Sequence, residues 1–376
     1  MAVTSQKAYL IAASRTTITP VGGVLRNSPI QDMAAKVINE NLRQINISKS
    51  DVDNVFVSNA IGGGGNIARL CALKAGFSSQ LLGNSVDRQC VGGLDAIIQA
   101  ANRVQSGVAN LILAGGVESF SLRPERHYPS KWNQSPKFSE RPPFFPEDDP
   151  FVPLSDFIKD LKNTHNISDK EEFEWVQNSH RKTLAHKTVA ETEIVSLNPN
   201  HPIDTFAREI TEDTYQKAKS TFGHTHPCNT APKADGAAFV AVASENMIKK
   251  YNPTHCVEIT DGFTIGGDPK SFPILPAKAM QQIMQQNSLN WDTISHIELM
   301  EAYAVQAILC AKLSGAPVEK INPFGGAISR GHPIGASGTI LAVRLFHNLK
   351  NNVKSSGLAA IAGAGGLASV LLLKSI

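Results

Sequence analysis

A strand, a turn and a small-residue helix ending in glycine occur twice in this chain, and that recurrence restricts its fold more than any other feature. Asp53-Asn-Val-Phe-Val-Ser58 leads into Ala68-Arg-Leu-Cys-Ala-Leu-Lys-Ala-Gly76, and Ser295-His-Ile-Glu-Leu-Met300 leads into Ala307-Ile-Leu-Cys-Ala-Lys-Leu-Ser-Gly315. Leu111-Ile-Leu-Ala-Gly-Gly116 is likewise echoed by Ala360-Ile-Ala-Gly-Ala-Gly-Gly366. Apolar runs at Tyr9–Ala13, Asn54–Ser58 and Leu111–Ala114 read as strands. Ile30–Ile45 and Val91–Val104 have helical spacing. In the second helix Val91, Leu94, Ile97, Ile98, Ala101 and Val104 share a face, and Gly107 marks the stop. Alternating strands and helices predict an α/β protein of two similar halves. A length of 376 residues agrees, because it exceeds one typical domain.

Residues 120–235 break the repeat. Arg141-Pro-Pro-Phe-Phe-Pro-Glu-Asp-Asp-Pro150 is Pro-rich and charged, and charge-rich helical sequence follows it. Ser168 with Glu171 forms a capping-box pattern opening a helix through Trp175. The expected division is an N-terminal half over 1–119 and a loop or cap insertion over 120–235. The remainder of the first sheet and the C-terminal half then occupy 236–376.

Composition removes several function classes. No apolar run reaches the roughly 18 residues of a membrane span, and the N-terminus lacks a signal-peptide layout, so a cytoplasmic protein is expected. The net charge of +3 comes without a dense Lys/Arg block, which speaks against a nucleic-acid partner. Cys71, Cys90, Cys228, Cys256 and Cys310 are odd in number and form no CxxC pair, which suggests reduced thiols.

Two segments could carry chemistry. Cys90 lies in Val86-Asp-Arg-Gln-Cys-Val-Gly-Gly-Leu-Asp-Ala-Ile97, at a strand-to-helix turn. The helix N-terminus there should favour thiolate, with a pKa below the free value of about 8.5. The glycines after it admit other backbone or a ligand. Alone, this segment suits a buried structural cysteine as well as a nucleophile. His332 lies in Asn322-Pro-Phe-Gly-Gly-Ala-Ile-Ser-Arg-Gly-His-Pro-Ile-Gly-Ala-Ser-Gly338, where small residues should leave room for a ligand. An imidazole held there is suited to deprotonating a thiol, and its place in the second half mirrors that of Cys90 in the first.

Other motifs are weaker. His224-Thr-His226-Pro-Cys228 carries three metal-capable side chains but no second ligand pair, so no metal is expected. Gly363-Ala-Gly-Gly-Leu-Ala368 fits a dinucleotide pattern, yet the strand Ser369-Val-Leu-Leu-Leu follows where a helix is needed. Gly62–Gly65 lacks the Lys-Ser/Thr of a P-loop.

In the same order and over nearly the whole chain, these segments resemble the thiolase superfamily. Arg15-Thr-Thr-Ile-Thr-Pro-Val-Gly-Gly23 looks like its N-terminal segment, the Cys90 turn its nucleophile motif, and Ala114-Gly-Gly-Val-Glu-Ser119 its Gly-Gly-Met-Glu-Ser. Lys233-Ala-Asp-Gly-Ala-Ala238 is similar to its Asn-Asp-Gly-Ala segment, and Gly325 to Gly338 to its His-box. The resemblance implies a five-layered α-β-α-β-α fold, acyl-CoA thioester substrates with no further cofactor, and ping-pong transfer through an acyl-cysteine. It implies Cys90 as nucleophile, His332 as its activator, and the backbone N–H groups of Cys90 and Ala364 as an oxyanion hole. It also implies a homodimer, or a homotetramer.

Three positions depart from the family pattern. Its acid/base cysteine, which moves the α-proton in carbon–carbon chemistry, aligns with Ala362 in Ala362-Gly-Ala-Gly-Gly366. Its Asn-Glu-Ala-Phe motif reads Met300-Glu-Ala-Tyr303, and a substrate-lining Ser reads Ala231. Cys228 could supply the missing thiol, and Glu301 could serve as acid/base or support His332 by hydrogen bonding. An acetyl-CoA acetyltransferase-like enzyme is therefore expected, with an acyl-CoA hydrolase or a non-catalytic acyl-CoA binder as alternatives.

Overall fold

The computed structural model describes residues 6–128, 137–139, 141–146, 153–350 and 354–376. The first half runs β1 (Ala8–Arg15), α1 (Ile30–Gln44), β2 (Asn54–Ser58), α2 (Ile67–Lys74), β3 (Leu82–Val86), α3 (Gly92–Gln105) and β4 (Leu111–Glu118). The insertion contributes α4 (Ser155–Thr164), α5 (Asp169–Ala185) and α6 (Glu212–Phe222) before the chain returns as β5 (Ala234–Ser244). The second half runs β6 (Val257–Gly266), α7 (Leu275–Gln286), β7 (Ile294–Leu299), α8 (Ala304–Ser314), α9 (Ile334–Leu349), β8 (Ser356–Gly363) and β9 (Leu367–Ser375).

The duplication is visible in the strand order, β7-β8-β9-β6-β1-β5-β4-β2-β3. Read outward from the β6–β1 junction, each half has two antiparallel pairings and then a parallel one. β3 is an additional edge strand of the first half, parallel to β2. The junction is short, with Ala8–Leu10 pairing Val257–Ile259. Among the described residues the insertion adds no strand to this sheet path.

Period-two alternation sends successive side chains of each strand to different layers. Val57 and Leu113 face α1 and α2, packing with Met33, Val37 and Cys71. Their neighbours Phe56 and Ile112 face α3 and α9, packing with Ile97 and Leu345, where Ile361 and Leu371 of the second half also arrive. On the far side Leu358, Val370 and Leu372 cover α7 and α8 through Met280, Ile283 and Cys310. These three apolar clusters make the five layers α-β-α-β-α. The central helix α9 is accordingly buried at almost every position, with no exposed polar face.

The two central helices touch through glycine. A Cβ on Gly93 would lie 2.7 Å from the Gly335 carbonyl oxygen, and one on Gly338 would lie 2.4 Å from the Leu94 nitrogen. Thr339 Oγ1 donates to the Gly93 carbonyl across that contact at 3.0 Å. Small residues around His332 were expected to leave room for a ligand, and the glycines after Cys90 to admit other backbone or a ligand. At Gly93 and Gly338 that space is filled by the backbone of the facing helix, because two helices in the middle layer meet more closely than side chains allow.

Candidate active site

Cys90 and His332 occupy equivalent places in the two halves, each lying two residues before the first residue of a central helix, α3 or α9. Close packing of those helices brings their starts together, so that Cys90 Sγ sits 3.2 Å from His332 Nε2. Gln89 turns the chain into Cys90 with φ of +52°, unusual for a residue with a side chain. His332 is held by its own backbone N–H, which donates to the Pro232 carbonyl at 2.8 Å.

Ser337 sets the protonation of the imidazole. Its Oγ is 2.6 Å from His332 Nδ1 and 3.0 Å from the Pro333 carbonyl. A hydroxyl has one proton, and a carbonyl can only accept, so Ser337 donates to Pro333 and accepts from Nδ1–H. That assignment leaves Nε2 without a proton, facing the thiol, the arrangement a base needs.

Burial sets the resting charge. It pushes the Cys90 thiol up to about 12, opposed by the backbone N–H groups of Ala364 and Cys90, and pushes His332 down to about 4. Both shifts favour the uncharged forms of the pair. This corrects the expectation of a thiol acidified by the helix: desolvation exceeds the helix-terminus effect, and the charges of Glu118 and Asp87 add to it. Alkylation of Cys90 by iodoacetamide should climb steadily from pH 6 to 9.5 in the free enzyme, since only the rare thiolate reacts. A rate already flat above pH 6, read by mass spectrometry, would instead indicate a standing thiolate–imidazolium pair.

The two amides aimed at the sulfur come from different halves. Ala364 lies in the tight β8–β9 turn, where Gly365 and Gly366 have φ of +87° and +85°. Glu118, at the end of β4, ties the halves together beneath the site. Its carboxylate accepts from Asn59 Nδ2 at 2.7 Å, Ala60 N at 3.0 Å and Gly335 N at 3.0 Å, the last at the start of α9.

The other sequence candidates lie as follows. Ala231 lines the cavity described below, whereas Met300 is buried in the central apolar cluster and Ala362 in the outer one. Cys228 is buried among Val176, Ile210 and Tyr215 of the insertion, outside the set of residues lining the cavity. Glu301 does not reach His332. It accepts from Trp175 Nε1 at 3.2 Å, Ser179 Oγ at 2.8 Å and Asn322 Nδ2 at 2.9 Å, and so anchors the insertion to the His-box loop. The imidazole support expected of Glu301 falls to Ser337, one helical turn into α9. Among the described residues no three His, Cys, Asp or Glu side chains converge to hold a metal ion. None of the described helices is long and apolar enough to cross a membrane.

A cavity of about 830 Å³ opens beside Gln89, between the insertion and the two halves. Ile61, Phe120, Phe144, Leu154 and Phe206 make most of it apolar, and Arg141 and Lys233 add positive charge to its wall. Its size suits a small-molecule ligand. Tyr303 also lines it and was not among the sequence candidates. The one available signal was its phenol where the family motif has Phe.

Residues 8–246 match the description "Thiolase, N-terminal domain" and residues 254–375 match "Thiolase, C-terminal domain". VraB of Staphylococcus epidermidis, provisionally named an acetyl-CoA C-acetyltransferase, is 32% identical over 96% of this chain and 97% of its own. YhfS of Bacillus subtilis, provisionally named likewise, is 31% identical over 98% of this chain and 99% of its own. The crystal structure of the Bacillus anthracis acetyl-CoA acetyltransferase superposes with a TM-score of 0.90 at 26% identity, covering 100% of both chains. With both family domains matched in order, the same fold throughout, and a cysteine and a histidine meeting where the halves join, the chain belongs to the thiolase family.

Proposed function

We propose that this chain is an acyl-CoA-dependent acyltransferase working through an acyl-Cys90 intermediate, with acetyl-CoA among its substrates. The observation carrying this reading is the 3.2 Å approach of a bare imidazole nitrogen to the Cys90 sulfur. As the sulfur attacks the thioester carbonyl, its proton passes to Nε2 and the imidazolium forms against the Ser337 oxygen. Negative charge develops on the carbonyl oxygen, for which the N–H groups of Cys90 and Ala364 are the available donors. Coenzyme A leaves, and an acceptor then takes the acyl group from Cys90. A resting neutral pair fits this sequence, because charge appears only once substrate has excluded water from the site. Arg141 and Lys233 suit the anionic carrier, and the apolar wall suits its acyl and pantetheine portions. Two copies pairing along the edge strand β3, where Leu82 is 67% exposed, complete the reading.

Intact mass after incubation with acetyl-CoA and longer acyl-CoAs tests it. The expected result is one added acyl group, absent in Cys90→Ala and lost on adding an acceptor thiol. Binding without any adduct would leave a protein that holds acyl-CoA but does not turn it over. An adduct that discharges only to water would make the chain a hydrolase.

A further inference from the structure

Carbon–carbon bond formation or cleavage on acyl-Cys90 needs a group that carries the α-proton, and Ala362 offers none. Of the two residues first suggested as replacements, Cys228 packs among Val176, Ile210 and Ala304 and is not among the residues lining the cavity, and Glu301 is held by three side chains away from His332.

Tyr303 lines the cavity wall together with Gln89, the residue before Cys90, and Ile334, the residue opening α9. Its backbone is clamped on both sides: Ala231 N donates to the Ala302 carbonyl at 3.0 Å, and Ala304 N donates to the Asn229 carbonyl at 2.9 Å. The side chain packs against the apolar cluster of Ile158, Val305, Ile308 and Leu309. Among the described residues its hydroxyl has no hydrogen-bond partner, nor is it among the fully enclosed polar atoms. Burial keeps its phenol protonated, with Cys90 acting in the same direction and Arg141 opposing them. An unpartnered phenol lining the cavity that Gln89 and Ile334, neighbours of the nucleophile and of the start of α9, also line is placed for proton transfer to a bound acyl group.

From this placement we infer that Tyr303 is the proton carrier for carbon–carbon chemistry on acyl-Cys90, an inference that rests on the acyl-Cys90 reading. In cleavage of a 3-ketoacyl thioester, the bond between its second and third carbons breaks, and the electron pair stays on the departing acetyl thioester as an enolate. Tyr303 gives the α-carbon its phenolic proton. The phenolate then takes the proton of an incoming coenzyme A thiol, whose sulfur displaces Cys90 from the acyl group. Condensation runs the same transfers backwards, so no other reactant is needed. Throughout, His332 holds the proton of Cys90 and returns it when the cysteine leaves.

Tyr303→Phe removes one oxygen from an otherwise packed ring and keeps the fold. In deuterium oxide the wild type is expected to exchange the methyl protons of acetyl-CoA. Tyr303→Phe should lower that exchange by at least about 100-fold, while acyl-Cys90 formation from p-nitrophenyl acetate, whose leaving group needs no proton, stays within about tenfold of wild type when read by intact mass. Undiminished exchange in Tyr303→Phe overturns the inference. So does a collapse of acylation in that variant, which would mean that the hydroxyl acts on the thiol rather than on carbon. A wild type that acylates Cys90 but shows neither exchange nor condensation overturns it as well, while leaving acyl transfer intact. If neither protein acylates, the acyl-Cys90 reading fails with it.

Discussion

His332→Ala is expected to slow acyl-Cys90 formation by about 10²–10⁴-fold at pH 7, the range for losing a positioned base. The thiol is pushed up to about 12 by burial, so without Nε2 to take its proton almost none of it is reactive at neutral pH. The deficit should shrink as pH rises toward 10, because solvent base then makes thiolate directly in the variant. Ser337→Ala should act in the same direction by only about 10–100-fold, the usual effect of a group that orients another. There the imidazole remains, and only the hydrogen bond that leaves Nε2 bare is lost. Rapid quench followed by mass measurement reads both rates. A His332→Ala enzyme acylating at the wild-type rate would place the base elsewhere.

Arg15→Met is expected to cost about 3–5 kcal/mol of stability, the typical result of removing one partner from a buried ion network. Arg15 is fully buried and grips Asp204 with two bonds of 2.9 Å, with Glu193 at 3.4 Å. Arg330 reaches Asp204 at 3.4 Å, and Arg344 joins Glu193 at 3.3 Å and Glu298 at 2.9 Å. Three cations thus balance three carboxylates out of water. Without Arg15, two of those carboxylates lose their main counter-charge, whose presence holds both below the usual carboxylate range. Asp204 and Glu193 come from the insertion, Arg15 from the first half and Arg330 and Arg344 from the second. The same substitution should therefore loosen the insertion over the cavity as well as lower the unfolding midpoint. Urea denaturation followed by circular dichroism measures the unfolding midpoint. A midpoint unchanged in Arg15→Met would mean that the network adds nothing to stability.

Periodicity and motif order carried the architecture, because both are written in neighbouring residues. The repeat of Asp53–Gly76 in Ser295–Gly315 became two half-sheets of matching order, and the helix expected over Val91–Val104 runs Gly92–Gln105. The pairing of Cys90 with His332 was legible too, since each precedes a central helix in its own half. Other features had no local signature. Ser337 is one small residue in a small-residue motif, and only the folded α9 shows its oxygen beneath Nδ1. Cys228 was offered as a spare thiol and is not among the residues lining the cavity, whereas Tyr303, which was not among the sequence candidates, is.

The clearest division concerns charge. A helix terminus beside a cysteine suggests an acidic thiol, and the sequence holds that information in full. How many layers of protein cover the sulfur is settled by residues from both halves, as far away as Ala364. Sequence by itself therefore determined the fold class, the two halves and which cysteine and histidine come together, since these follow from short-range patterning and motif order. Tertiary structure alone decided the resting protonation of that pair, the residue that orients it and the wall it faces. Desolvation and contact depend on what arrives from elsewhere in the chain, and no local pattern records that.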